Sequence, residues 1–171
     1  MVKGGYLGRL KGARIQKENK RRKIRYFSER GKRDIKQIKK RELFIAGLAL
    51  YWGEGSKKDP RVRFYNSDPE IVRFIMKWFR NILNVAEDRF IMYVTINRIH
   101  NDRLDDVNKY WSEKTNISIG QFRKPILIKA KNEKIYDNHF QHYGTLCVRI
   151  AKSSSLFYQI MGWLEALGKT K

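Results

Sequence analysis

One acidic residue of this sequence occupies a place where a carboxylate is not expected. Glu54 lies between Gly53 and Gly55, directly after the apolar run IAGLALYW, which predicts a helix. The carboxyl end of a helix carries partial negative charge, so a carboxylate there is mildly unfavourable unless a cation compensates it. The pattern therefore predicts a cation close to Glu54, either a basic side chain or a bound metal ion.

The residues on both sides of Glu54 predict how it is positioned. The segment ELFIAGLALYW is apolar in every direction, which is typical of a helix that is buried all round. Gly55 suits the C′ position that ends a helix. Asp59-Pro60 then predicts a tight turn. We expect the buried helix to hold the Glu54 carboxylate in one place.

The chain has a large excess of positive charge, and much of it lies near the N-terminus. The 171 residues include 38 Lys and Arg against 17 Asp and Glu, a formal charge of +21. Residues 1–41 hold 17 of the basic residues and only three acids. Such an imbalance favours a polyanionic partner, nucleic acid above all. We predict a basic arm over residues 1–41 and a globular domain over 42–171.

The basic arm contains a stretch, ARIQKENKRRKIRYF, that is rich in good helix formers and free of Pro and Gly. Its apolar residues are too few to form a core-facing stripe, so we expect it to become ordered on a partner. Arg21, Arg22 and Lys23 are its candidate nucleic-acid contacts. A solvated basic tail is the alternative.

Several features place the protein in the cytoplasm, without a membrane partner. Cys147 is the only cysteine, so no disulfide can form within the chain, as in reducing compartments. The N-terminal residues lack the apolar stretch of a secretory signal. No apolar run reaches the roughly 18–20 residues that a membrane-spanning helix needs.

The pattern of residues 42–171 predicts an α+β fold. RVRFYNSD, FIMYVTIN, FRKPILIKA and TLCVRIAK predict strands, and helices are predicted at EIVRFIMKWFRNIL, DRLDDVNKYWSEKT and SSSLFYQIMGWLEALG. Ser67 and Glu70 have the spacing of a capping box. The segments VRFYNSDPEIVRFIMKWF and VRIAKSSSLFYQIMGWL are alike, which favours a strand–helix unit that occurs twice; chance convergence is the alternative.

One face of the predicted sheet is apolar, and the other carries basic and polar residues. A sheet lined in this way could lie in a major groove, where Arg and Asn can read base edges. Residues at the strand ends, Arg98 and Lys152, suit phosphate contacts. An ordinary solvated face is the alternative. The predicted outward residues are Arg61, Arg63, Tyr65, Arg89, Tyr93, Thr95, Asn97 and Arg149.

The stretch GLALYWGEG, Gly47 to Gly55, resembles the nine-residue motif of the LAGLIDADG homing-endonuclease family. Leu50 falls at the motif's leucine, Glu54 at its acid and Gly55 at its last glycine. The ordered set LYWGEGSKK, NSDPEIV, YWSEKTNI, QFRKP and IMGWLEAL is similar to compact stand-alone members from prokaryotes and phages, over about residues 42–168. The resemblance implies a mixed, mostly antiparallel curved sheet packed against helices. Tyr51 and Trp52 depart from the motif and leave Glu54 as its only acid.

The resemblance implies a site-specific endonuclease that cuts duplex DNA with Mg²⁺ or Mn²⁺ held by Glu54. A second acid is then required. It would come from a homodimer through the 43–54 helix, or from Glu113, whose YWSE segment is similar to YWGE. Lys57 and Lys58 would contact phosphates, although an ion pair between one of them and Glu54 is the alternative. A DNA-binding regulator without cleavage and an RNA-binding intron-splicing cofactor are the alternative functions.

Overall fold

The computed structural model of the chain describes residues 3–129 and 139–170, with side chains from residue 8 onward except that of residue 139. The chain divides into two compact units, Met1–Lys39 and Lys40–Lys171. This division falls near the change of composition after residue 41. No helix in the described ranges combines the length and the apolar character that crossing a membrane requires.

The first unit consists mainly of one long helix, α1 (Lys3–Asp34), of 32 residues. It contains the stretch predicted to be helical and extends well beyond it at both ends. From residue 8 to residue 34 its side chains are exposed, and only Gly31 is half-buried. A helix that is polar on all sides has no face to bury against a core.

The described part of the second unit contains four α-helices and four strands. The helices are α2 (Lys40–Glu54), α3 (Pro69–Asn81), α4 (Leu104–Thr115) and α5 (Ser154–Gly168). The strands are β1 (Arg63–Asn66), β2 (Phe90–Asn97), β3 (Ile126–Ile128) and β4 (Thr145–Ile150). Short 3₁₀ helices occupy Glu87–Arg89, Arg98–Arg103, Ile119–Gln121 and His139–Gln141.

The strands form one mixed sheet in the order β1-β4-β2-β3. β4 pairs antiparallel with β1 and with β2, whereas β3 pairs parallel with β2. The α+β class and a mostly antiparallel sheet are thereby confirmed. β1 and β4 are also the strands of the two similar segments. Their pairing sets Arg63 opposite Arg149, and these two residues hold the same position in the two similar segments.

The core lies between one face of the sheet and the helices. Phe64, Val148 and Met92 are neighbours across the adjacent strands β1, β4 and β2 and are fully buried. Behind them α2 packs against α3 and α5, and α3 packs against α4. The Trp78 indole of α3 donates a hydrogen bond to the Phe44 carbonyl of α2 at 3.1 Å. A Cβ at Gly47 would lie 2.1 Å from the Trp78 ring, so α2 can approach α3 this closely only with glycine there.

Helix α2 is buried on one face only, and the prediction of a helix buried all round is wrong for the single chain. Leu43, Gly47, Leu48 and Tyr51 face the core. The opposite face is exposed and is formed mainly by small residues, together with Trp52. Because both faces are apolar, the sequence alone could not show which of them the monomer leaves open.

Four local predictions are corrected by the structure. β1 begins at Arg63, so Arg61 precedes the strand, and Arg89 belongs to a 3₁₀ helix rather than to β2. The N-cap of α3 is Asp68 instead of Ser67, since the Asp68 side chain accepts a hydrogen bond from the Glu70 amide at 2.8 Å. The alternation in TLCVRIAK predicts that Cys147 faces outward with Thr145 and Arg149, but its side chain is only 4% exposed.

Candidate acidic cleft and nucleic-acid interface

Glu54 is exposed at the carboxyl end of α2, where it borders an open cleft of about 600 Å³. The cleft lies between the end of α2, the loop that follows it and the outer side of β1. Its lining combines two acids, two lysines, an arginine and a tyrosine. The lining residues are Glu54, Gly55, Ser56, Lys57, Lys58, Asp59, Arg63 and Tyr65.

The backbone around Glu54 is anchored to the core. The buried Tyr51 hydroxyl donates to the Ser56 carbonyl at 3.0 Å, and the Ser56 amide donates to the Arg63 carbonyl at 2.9 Å. Burial raises the pKa of Tyr51 to about 12, so its hydroxyl remains a donor at neutral pH. A Cβ at Gly55 would lie 2.6 Å from the Tyr51 carbonyl oxygen. Close packing, rather than a left-handed backbone, therefore explains the glycine after Glu54.

Lys57 supplies the cation that the end of α2 requires. Its ammonium group donates to the Trp52 carbonyl at 2.7 Å and to the Gly55 carbonyl at 2.8 Å. These carbonyls lie at the negative end of the helix, where a cation is stabilising. Among the residues described, Glu54 forms no ion pair with Lys57, with Lys58 or with any other basic group. Its carboxylate therefore faces the cleft without a basic partner.

Asp59 is a second acid in the cleft, although the sequence predicts it only as part of a turn. Its Oδ2 atom accepts from Arg61 Nη2 at 2.5 Å and from Arg63 Nη2 at 2.6 Å. Its Oδ1 atom is buried and has no hydrogen-bond partner. Desolvation raises the pKa of Asp59, but the two arginines outweigh that effect and lower it, so the group stays ionised.

Glu113 is not among the residues that line the cleft. It is exposed on α4, and that helix packs mainly against α3 and the neighbouring 3₁₀ helices. The sequence already separates the two acids in part, since Gly53 and Gly55 flank Glu54 whereas Ser112 and Lys114 flank Glu113 in a more polar segment. The packing of the two helices completes the distinction, because it places only Glu54 at the cleft.

The outer face of the sheet brings together six of the eight residues predicted to point outward from it. Arg63 of β1, Arg149 of β4 and Ile91 of β2 form one row, and Tyr65, Cys147 and Tyr93 form the next. Thr95 follows opposite Thr145, with Asn97 further along β2. Apart from Cys147, which its tyrosine neighbours cover, these side chains are half-buried or exposed. The first two rows begin at β1, the strand that borders the cleft.

Arg149 and Arg89 are held by bonds within the protein. Arg149 Nη1 donates to the Tyr93 hydroxyl at 3.3 Å, while its Nε is buried without a partner. Arg89 donates to the carbonyls of Ala151 and Lys152 at 3.0 and 3.2 Å, so it fixes the turn between β4 and α5. Arg149 thus lies on the outer face, whereas the Arg89 guanidinium is used structurally.

The remaining predicted contacts lie outside the sheet. Arg98 begins the 3₁₀ helix after β2, and Lys152 is exposed in the turn before α5 with a left-handed backbone, φ 48°. On α1, Arg21, Arg22 and Lys23 are exposed. Arg22 donates to the Asn19 side chain at 2.9 Å. All of these side chains are exposed, so they could contact phosphates without any change in the packing of buried residues.

Of the two acids in the cleft, only Glu54 has no basic partner among the described residues, because Asp59 is bound by two arginines. No group of three or more His, Cys, Asp or Glu side chains suited to a metal ion occurs in the described part of the chain. Mg²⁺ is commonly held by only one or two carboxylates together with waters and phosphate oxygens. Glu54, with no basic partner, could be such a ligand.

Comparison of the chain with protein-family models, with curated proteins and with solved structures finds no match.

Proposed function

We propose that the protein is a site-specific duplex DNA-binding protein that hydrolyses phosphodiester bonds with Mg²⁺ or Mn²⁺ held at Glu54. The observation that carries the proposal is the cleft: the Glu54 carboxylate borders the same open space as Lys57, Lys58 and Arg63. A carboxylate that can hold a metal ion, beside basic groups that can neutralise phosphates, is one part of what metal-assisted phosphodiester cleavage requires. The resemblance of GLALYWGEG to the LAGLIDADG motif supports the same function.

The outer face of the sheet supports binding to a duplex. Its rows of arginine, tyrosine, threonine and asparagine offer donors and apolar groups that can contact base edges. The rows begin beside the cleft, so DNA that contacts them would bring its backbone near Glu54. Lys58 and Lys152, both exposed, would contact phosphates.

Glu54 is the residue that would hold the metal ion. When bound, Mg²⁺ stabilises the negative charge that develops on the phosphate oxygens during hydrolysis. The protein's own groups would hold and orient the backbone: Lys58 and the outer-face arginines neutralise phosphates, and the anchored turn after α2 keeps Glu54 in place. No other acid in the cleft lacks a basic partner, because Asp59 is bound by two arginines.

A second copy of the chain would supply the second acid. The exposed face of α2 is built from small residues such as Ala46, Ala49 and Gly53, which would let a second α2 approach closely. A Cβ at Gly53 would meet nothing within 4 Å in the single chain. Sedimentation equilibrium should show a dimer, and Ala49→Arg should convert it to a monomer. A monomer that cuts DNA at full rate would exclude this arrangement.

A non-cleaving DNA-binding regulator is the second candidate. It is favoured by the single partner-free acid of the cleft and by the exposed position of Glu113 on α4, outside the lining. In such a protein, the Glu54→Gln variant would bind DNA as tightly as the wild type, and neither would cleave it. An RNA-binding cofactor is a further alternative, and competition between duplex DNA and folded RNA at equal salt would identify it.

The deciding experiment is cleavage of a plasmid library by the wild type and two matched variants. Glu54→Gln should abolish discrete cuts in Mg²⁺ or Mn²⁺ while DNA binding persists. Glu113→Gln is the matched control, since it removes the same charge outside the cleft. Binding without cleavage under every metal condition would reject the nuclease and favour the regulator. Loss of cleavage in both variants would mean that Glu113 completes the site.

A further inference from the structure

Three hydrogen bonds converge on one oxygen atom at the edge of the cleft. Asp59 Oδ2 accepts from Arg61 Nε at 3.0 Å, from Arg61 Nη2 at 2.5 Å and from Arg63 Nη2 at 2.6 Å. Two guanidinium groups directed at one anionic oxygen are also how arginines hold a phosphate. The anion they hold in this chain is one of its own side chains.

We propose that Asp59 occupies, in the protein without nucleic acid, the place of a backbone phosphate, which displaces it on binding. This proposal rests on the proposed nucleic-acid interface, and it adds a way in which the chain itself limits binding there. Arg61 and Arg63 then contribute to binding only after they release Asp59. The carboxylate thereby weakens binding to polyanions in general.

The accessibility of the cluster allows such an exchange. The side chains of Arg61, Asp59 and Arg63 are 52%, 28% and 22% exposed, so a phosphate can approach the cluster from solvent. The cluster lies where the outer face meets the cleft, since Arg63 belongs to β1 and also lines the cleft. A phosphate that contacts this edge of the sheet would reach both arginines.

The bonding of Asp59 is incomplete, which favours exchange. All of its side-chain hydrogen bonds use Oδ2, while Oδ1 is buried without a donor. A buried oxygen without a partner is destabilising. A phosphodiester has two non-bridging oxygens that can each accept a hydrogen bond from an arginine. Replacing Asp59 by a phosphate would therefore keep the arginines paired and would allow Oδ1 to reach water.

The test compares the salt dependence of binding in the wild type and in Asp59→Asn. Fluorescence anisotropy with a mixed-sequence DNA duplex gives the dissociation constant over a series of KCl concentrations. Asp59→Asn should bind more tightly at each concentration, because both arginines are available from the start. Its plot of log K against log salt should run parallel to that of the wild type, because the same phosphates are contacted in both complexes once Asp59 has been displaced.

Two further variants show whether the gain comes from the arginines. In an Arg61→Gln/Arg63→Gln background, Asp59→Asn should give no gain, because nothing is left to release. Glu70→Gln is the matched control: it frees Arg73 of α3 from a carboxylate outside the cleft and removes the same charge. It should give little or no gain in affinity at any salt concentration.

The proposal is overturned if Asp59→Asn binds as the wild type does or more weakly, since Asp59 would then position the arginines productively. A gain that persists without the arginines would also overturn it. Thermal unfolding checks that the variant is folded, and Asp59→Ser provides the same comparison if it is not. Elution from heparin separates this proposal from the DNA interface: an arginine-dependent shift to higher salt would support the release of Asp59 even if the wild type binds no duplex.

Discussion

The two units of the chain carry their positive charge on very different kinds of structure. In the first unit, the basic side chains of α1 from residue 8 onward are exposed. In the second, Arg63 and Arg149 lie opposite each other on strands whose other faces are fully buried. The positions of the sheet arginines are therefore fixed by packing, and those of the α1 side chains only by the helical backbone. We expect α1 to supply affinity without sequence preference and the sheet to supply specificity.

The interactions that stabilise the two units differ in kind as well. Within α1 the ion pairs are local and exposed, such as Lys32–Glu29 at 2.8 Å and Arg30–Asp34 at 3.7 Å. Each such pair contributes only about 0.2–0.5 kcal/mol. The second unit has a continuous buried cluster that includes Trp78, Trp111 and Phe64. We therefore expect substitutions in the buried cluster of the second unit to change mainly its stability. Substitutions of the basic residues of α1 should change mainly the charge-driven binding.

The largest expected effect is on the core of the second unit. Phe64→Ala removes a fully buried ring from β1 and should lower the free energy of unfolding by about 3–5 kcal/mol. Tyr65→Ala, one residue further on the same strand, removes a ring that is 38% exposed and should weaken DNA binding more than stability. Urea denaturation and anisotropy measure the two quantities. Equal loss of stability in both variants would show that the outer face is part of the core.

A second prediction concerns alkaline pH and the buried phenol of Tyr51. Its pKa is raised by burial from 10.0 to about 12, so the unfolded chain ionises at lower pH than the folded one. The stabilisation is fully present below pH 10 and is lost as the pH rises toward 12. The upper limit is roughly 2–3 kcal/mol, from two pKa units. Tyr51→Phe should remove this part of the loss of folding stability at alkaline pH, as measured by urea denaturation at a series of pH values. Identical profiles of stability against pH for the two proteins would contradict the prediction.

The same substitution should have opposite effects in the two units. Gly47→Ala would place a Cβ 2.1 Å from the Trp78 ring and should destabilise the second unit by about 1–3 kcal/mol. Gly12→Ala in α1 meets nothing within 4 Å and should stabilise the helix by up to about 1 kcal/mol. Circular dichroism reports helix content, and denaturation reports unfolding. Destabilisation by Gly12→Ala would show that α1 packs closely at that position.

The smallest effect on stability is expected from the charges of α1. Replacing Arg21, Arg22 and Lys23 by Gln should change the unfolding of the second unit by less than about 0.5 kcal/mol. Each lost phosphate contact should flatten the salt dependence of DNA binding by about 0.9 in slope. Sequence preference should not change. If it does, α1 reads bases and the proposed division of roles between the units is wrong.

The elements were largely predictable, because their signals are local. Alternation of apolar and polar residues predicted β2 and β4, and the helical spacing of apolar residues predicted α3 and α5. The lengths of β1 and β3 were overestimated, since only four and three residues pair. A strand ends where its neighbour ends, and the sequence of one strand does not contain that information. The parallel pairing of β3 with β2 was likewise not predicted.

The candidate site was predictable in part. The position of Glu54 at a helix end was evident from the two glycines and the apolar run. The roles of Lys57 and Asp59 were not, because both depend on how the loop after α2 folds back toward β1. A lysine that binds helix-end carbonyls and an aspartate that accepts from two arginines have no distinctive spacing in the sequence.

What the sequence determined by itself was the class of structure and the sign of the charge, since both follow from which residues are present and how they alternate. Packing alone decided the rest. It left one apolar face of α2 open, covered Cys147 between two tyrosines and used Arg89 to hold a turn. It also brought Asp59 into the same cleft as Glu54. Burial and pairing depend on residues distant in the chain, and only the tertiary structure brings those residues together.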